Sequence, residues 1–188
     1  MTLIYRFSLS LIMLLGNVNA GPPASKIKYW DTDNTISWDD FKKVRSLPGN
    51  EAATIHVAIS FSYEYSGKSA DILIRTYMDP GKSVSIRKDE TDLLLIHEKK
   101  HFDLQEVFSR KMRKQMTEYP YIISTLQKDL NKIFDDNIHE CAKEQRLYDK
   151  ETKHSVDTVM QKKWNEKIDS LLIEYNDFAE PKIQINIP

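Results

Sequence analysis

In the stretch LLLIHEKKHFDLQEVFSRKM, which begins at Leu93, two histidines and a glutamate interrupt an apolar run. His97 and His101 are four residues apart, so on a helix they lie about 40° apart on one face, one turn above the other. Two imidazoles so placed can reach one metal ion. Glu98 sits about 100° round from His97, suited to taking a proton from a metal-activated water rather than to binding the metal. The chemistry this implies is zinc-assisted hydrolysis of an amide, with Glu98 as general base and later as proton donor to the leaving nitrogen. The competing reading is two helix histidines satisfied by carboxylates or backbone. The four apolar residues Leu93 to Ile96 favour the metal, because they imply a buried helix, and buried histidines need partners.

A catalytic zinc site commonly has three protein ligands and an open position, so a third ligand is needed. Glu106 is nine positions from His97, about 180° round a continuous helix, and should face away; Asp103 fails similarly. Downstream, EQRLYDKETKHSVDTVMQKKW places His154 in a polar break between two helices, from which it can fold back over the site. Asp149 or Glu151 are alternatives, either as ligand or to orient a ligand imidazole. Tyr148, close to these in sequence, is a candidate to stabilise an oxyanion, against a simpler role in core packing. Cys141 is the single cysteine. It permits no intramolecular disulfide and no thiolate zinc cluster, and inside a long polar helix it reads as a packing residue.

The elements that must hold these groups follow from periodicity. The run ATIHVAISFSYEY from Ala53 alternates, with Ile55, Val57, Ile59, Phe61, Tyr63 and Tyr65 on one face, and predicts a half-buried strand. His56, on its polar face, is expected to be solvated. A turn over Ser66 to Ser69 leads to ADILIRTYM as the second strand of an antiparallel hairpin, closed by DPGKS from Asp79. ISWDDFKK is a short strand or turn anchored by Trp38 and Phe41. After Asp89 the period becomes helical. One helix runs up to the residue before Pro120, a second spans about 122–148 and a third about 156–175. KIQINIP alternates Ile183, Ile185 and Ile187 and predicts a returning strand. The fold class is α+β, a small antiparallel sheet followed by packed helices.

The first twenty residues are of another kind. One cation at Arg6, an apolar run from Phe7 to Leu15 and Val-Asn-Ala before Gly21 read as a secretory signal peptide over 1–20. The run is short for a membrane span, and cleavage after Ala20 leaves a single domain over 21–188, secreted or periplasmic, with no stable membrane insertion. The 188 residues, 40% hydrophobic, suffice for one core. A formal charge of −1 gives no sign of nucleic-acid binding.

HEKKHFDL, with ISWDDFK upstream and LYDKETKHS and QKKW downstream, resembles a family of bacterial proteins of unknown function described as predicted secreted zinc-dependent proteases. That family has a Trp-x-Asp-Phe start, a Leu-Leu-x-His-Glu-x-x-His-Phe-Asp helix, a Tyr-Asp-x-x-Thr-x-His-Gly segment and a Gln-x-x-Trp. Here these fall at Trp38 to Phe41, Leu94 to Asp103, Tyr148 to His154 and Gln161 to Trp164. The family's glycine after the later histidine is Ser155, and its Ser-Trp appears as Ser83-Val84. The resemblance implies a zincin-like fold and favours His154 as third ligand.

The expected function is a secreted zinc metallopeptidase. His97, His101 and His154 hold zinc, Glu98 acts as base, and a peptide or protein is the substrate, with an edge strand of the sheet available to an extended peptide by strand addition. The rivals are a zinc hydrolase acting on another amide, such as a cell-wall bond, a non-catalytic zinc-binding protein, and a non-metal helical interaction module in which the histidines are structural.

Overall fold

In a computed structural model the described residues are 27–31, 35–48 and 51–187; the expected leader over 1–20 lies outside them. The larger sheet is antiparallel. The strand β5 (Ser69–Met78) is central, with β4 (Val57–Tyr65) along one edge and two short strands, β1 (Lys28–Tyr29) and β7 (Lys182–Asn186), sharing the other. The β4–β5 register pairs Val57 with Met78 and Tyr65 with Ala70, and Gly67 makes the turn at φ 76°. A second sheet joins β2 (Lys42–Lys43), β6 (Val84–Ser85) and β3 (Ala53–Thr54). Its β2–β6 pairing is parallel, which alternation alone does not reveal.

The run read as one strand from Ala53 is thus divided. β3 pairs with β6 and β4 with β5, and between them the two N–H groups go to side chains, while the His56 carbonyl accepts from the Asp79 N–H. The Ile55 N–H donates to Glu98 Oε2 at 2.8 Å, and the His56 N–H to Ser83 Oγ at 2.9 Å. Side-chain alternation survives such a switch of sheets, so the sequence pattern could not show it. His56 is corrected as well. It is half-buried, its Nε2 is enclosed with no hydrogen-bond partner, and burial, helped by Lys82, lowers its pKa.

Three helices follow. α1 (Asp92–Glu118) starts where Thr91 Oγ1 accepts from the Leu94 N–H at 3.1 Å, and stops at extended Tyr119 before Pro120. α2 (Leu126–Thr152) begins and ends about four residues later than periodicity suggests. A single 3₁₀ turn, Ile123–Thr125, takes the place of its expected first turn. α3 (Thr158–Glu174) is capped by Asp157, which accepts from the Met160 N–H. Among the described residues no helix is long and apolar enough to cross a membrane.

α1 is the spine. Its C-terminal half sets Met112 and Met116 on Ile59, Ile72 and Ile74 of the sheet and on Leu126, Leu130 and Phe134 of α2. Its middle sets Leu104, Val107 and Phe108 against Cys141 and Tyr148 of α2 and Trp164 and Ile168 of α3. Phe102 packs with Ile36, Phe41, Ile55 and Met78. The first turns of α1 are therefore wedged between β3 on one side and the ends of α2 and α3 on the other.

Candidate metal centre

The helical spacing of His97 and His101 has the expected consequence: both imidazoles face the same side of α1, both are buried, and their Nε2 atoms are 3.2 Å apart. The last two turns of α2 lie across them. Asp149 Oδ1 is 3.2 Å from His97 Nε2 and 2.9 Å from His101 Nε2. One ligand atom from each of His97, His101 and Asp149 lies within 4.8 Å of the others, a group able to hold a metal ion.

The hydrogen bonds decide which nitrogen faces that centre. Gln145 Nε2 donates to the His101 carbonyl at 3.0 Å, so its Oε1, 2.6 Å from His101 Nδ1, accepts from an Nδ1–H. Gln161 Nε2 donates to Tyr148 Oη at 2.6 Å and to Asn165 Oδ1 at 2.8 Å, and its Oε1 receives His97 Nδ1 at 3.0 Å. Each ring thus spends its proton on a glutamine and turns a lone pair inward. Two imidazole lone pairs and a carboxylate oxygen crowded together repel unless a cation sits among them. Ligands about 2.0–2.1 Å from a tetrahedral zinc stand roughly 3.3 Å from each other. The observed separations of 2.9–3.2 Å come within a few tenths of an ångström of that, so the donor set fits a metal ion.

Without a metal, a proton is held there. Burial works against charge on His101, but the carboxylates of Asp149 and Glu98 outweigh it and raise the pKa to about 9. Burial lowers that of His97. Burial would raise Asp149, yet His101 and His97 hold its carboxyl well below the usual range. Glu98 is enclosed beside β3, and burial pushes its pKa up to about 7 against the opposing pull of His101 and the Ile55 N–H.

The other sequence candidates are placed as follows. His154 is at the rim, its side chain 38% exposed, with Nδ1 3.6 Å from Asp149 Oδ1 and its ring centroid 6.4 Å from that of His97. Lys153, His154 and Ser155 all take positive φ, at 50°, 53° and 75°, and this left-handed turn folds the chain back towards the site. Glu151 is turned to α3, where it accepts from Trp164 Nε1 at 2.8 Å. Tyr148 is wholly buried. Its hydroxyl donates to the His97 carbonyl at 3.2 Å while receiving Gln161, and burial raises its pKa. Both hydroxyl bonds lie inside the protein, one to a main-chain carbonyl and one from a glutamine amide. Glu106 turns to the sheet, where Thr76 of β5 binds it together with Arg110 and Arg113 of α1 itself. Cys141 is buried, and burial pushes its thiol up to about 12.

Sequence reasoning gave no role to Gln145 and Gln161. A signal existed for the first. The buried stripe of α2, Leu126, Leu130, Phe134, Asn137, Cys141, Gln145, Tyr148 and Thr152, turns polar towards its C-terminal end, and polar groups on a buried stripe need partners.

The family model described as "Bacterial protein of unknown function (DUF922)" matches residues 86–155. The matched span runs from the turn before α1 to the left-handed turn after α2, and carries His97, Glu98, His101, Tyr148, Asp149 and His154. It is narrower than the motif resemblance, leaving Trp38 to Phe41 and Gln161 to Trp164 outside, and the description states no activity. No curated protein and no solved structure matches the chain.

Proposed function

We propose that this protein is a zinc-dependent metallopeptidase of zincin-like build, exported by its leader, that cleaves peptide bonds with Glu98 as general base. The observation that carries this reading is the convergence of His97 Nε2, His101 Nε2 and Asp149 Oδ1, with the buried carboxyl of Glu98 one residue from the first histidine.

His97, His101 and Asp149 hold the ion. His154 stands at the exposed side of the set, where a substrate must enter. When bound, zinc supplies Lewis acidity that lowers the pKa of a water and polarises the scissile carbonyl. Glu98 moves the protons. Its Oε2 is fixed by the Ile55 N–H, so Oε1 takes the proton of the attacking water and returns it to the leaving nitrogen. A carboxyl with a pKa near 7 can accept and release a proton at neutral pH. Burial of His97, Glu98 and Tyr148 keeps bulk water from the inner side of the centre.

The test is elemental analysis of protein purified without chelators, with a peptide-library digest of the wild type and Glu98→Gln. About one zinc per chain is expected, with hydrolysis reduced 10²-fold or more in the variant while zinc is retained. Zinc without turnover on any peptide would make this a binding protein. No zinc, and no stabilisation on adding it, would defeat the reading.

A further inference from the structure

His97 and His101 are each held at two points, and the two sets of contacts match. Gln145 takes His101 at Nδ1 with its oxygen and at the main-chain carbonyl with its nitrogen, at 2.6 and 3.0 Å. Gln161 takes His97 at Nδ1 at 3.0 Å and reaches the His97 carbonyl through Tyr148, whose hydroxyl receives Gln161 Nε2 at 2.6 Å and donates onward at 3.2 Å. The glutamines come from different helices, α2 and α3, and both are almost completely buried.

A buried primary amide has two orientations, and flipping it exchanges a donor for an acceptor. Neither glutamine is free to flip. The His101 carbonyl can only accept, so the nitrogen of Gln145 must face it. Tyr148 Oη spends its proton on a carbonyl, so it too must be met by a nitrogen, which on the same side of Gln161 also reaches Asn165 Oδ1. The amide oxygens are thereby aimed at the two Nδ1 atoms, and only an N–H there satisfies them.

We infer that Gln145 and Gln161 are positioning residues for the metal centre: they fix both histidines as Nδ1–H tautomers and so commit both Nε2 atoms to the ion. A neutral amide differs here from a carboxylate in the same place. It orients the ring without adding negative charge to a set that already contains Asp149, with Glu98 close by. This rests on the metallopeptidase reading only in taking the ion to be zinc; the tautomers are a property of the chain itself.

The experiment has two arms. Zinc affinity is measured by chelator competition at one pH for the wild type and for Gln145→Leu, Gln161→Leu and Gln161→Glu, with melting of each metal-free variant recorded. Each leucine variant should bind zinc about 10–100-fold more weakly, the usual cost of losing a group that orients a ligand. Gln161→Glu, which keeps an acceptor for Nδ1, should recover most of that loss, a rescue that a packing role would not give. Leucine variants that fold and bind zinc like the wild type overturn the inference.

The second arm needs no substitution. Side-chain ¹⁵N spectra of the histidines should show, in the zinc form, protonated Nδ1 and ligating Nε2 at both His97 and His101. In the metal-free protein His97 should be the Nδ1–H tautomer. An Nε2–H tautomer of His97, or ligation through Nδ1, overturns the inference whatever the affinities. If the wild type takes up no zinc, the metallopeptidase reading fails, and the metal-free spectrum of His97 alone still decides this inference.

Discussion

The ring of Tyr148 lies against that of His97, centroids 4.6 Å apart and planes 22° from parallel, while its hydroxyl bonds the carbonyl of the same residue at 3.2 Å. A side chain from the end of α2 therefore grips a residue in the second turn of α1 by both face and backbone. Tyr148→Phe keeps the stacked ring and removes the hydroxyl, leaving Gln161 Nε2 with Asn165 only. The expected cost is about 1 kcal/mol, a fall in Tm of about 2–4 °C, with zinc affinity lowered along with it. If Tyr148 instead served the oxyanion directly, kcat would fall while zinc affinity and Tm stayed put, so measuring all three separates the two roles.

The turn after α2 carries strain at a definable place. Ser155 sits at φ 75°, a conformation costly to any residue with a Cβ. It stands where the family resemblance has glycine. The backbone keeps the glycine-like turn even though the residue has changed. Ser155→Gly should then raise stability by about 1 kcal/mol, offset in part by the greater freedom of glycine in the unfolded chain. Thermal melts of wild type and variant measure it, and an unchanged or lower Tm would show that the turn bears no such strain.

What was legible in the sequence depended on whether the signal was local. The spacing of His97 and His101, the stop before Pro120 and the β4–β5 hairpin each follow from residues a few positions apart, and each appears as read. The partner from α2 was not fixed in that way. His154, Asp149 and Glu151 fall within six residues, and which of them reaches α1 depends on where α2 ends. The helix continues to Thr152, which turns Asp149 inward and Glu151 towards Trp164. The break at Ile55 and His56 was invisible for a related reason: its hydrogen bonds go to Glu98 and Ser83, 43 and 27 positions away.

Glu106 tests the face of α1 that turns away from the metal centre. Its carboxylate is enclosed and receives Arg110 Nε at 3.1 Å, Arg113 Nη1 at 3.0 Å and Thr76 Oγ1 at 2.7 Å, which fastens the helix to β5. Glu106→Gln leaves two buried guanidinium groups without their counter-charge, and about 3 kcal/mol of stability should be lost. Zinc stoichiometry of the folded fraction should not change. Denaturant melts with metal analysis check both, and loss of the metal from a folded variant would place Glu106 in the centre after all.

Proton binding at the candidate metal centre gives the metal-free protein a specific dependence on pH. The folded-state pKa of Glu98 is raised to about 7 by burial, above its ordinary value. Its contribution is therefore present at pH values below that ordinary value and is lost as pH rises through 7. His101 is raised to about 9, chiefly because Asp149 and Glu98 overcome the effect of burial, so its contribution is complete below about 6.5 and lost as pH rises through 9. Both run the same way, whereas His97 and His56, whose pKa values burial lowers, gain stability as pH rises towards about 6.5 and oppose the Glu98 part there. The metal-free protein should therefore melt at progressively lower temperature from about pH 7 to pH 9, where His101 alone acts. Asp149, whose pKa is held down by the histidines, acts at the acid end, where its contribution is lost as pH falls. Glu98→Gln should remove the Glu98 part below about pH 7 and lessen the fall above it, because His101 then keeps only the Asp149 carboxylate to hold its proton. Zinc competes with the proton on His101, so the stabilisation it adds should grow with pH over the same range. Melting curves of both proteins at intervals across pH 5–9, with chelator and with zinc, test the scheme; a metal-free wild type that gains stability towards pH 9 would refute it.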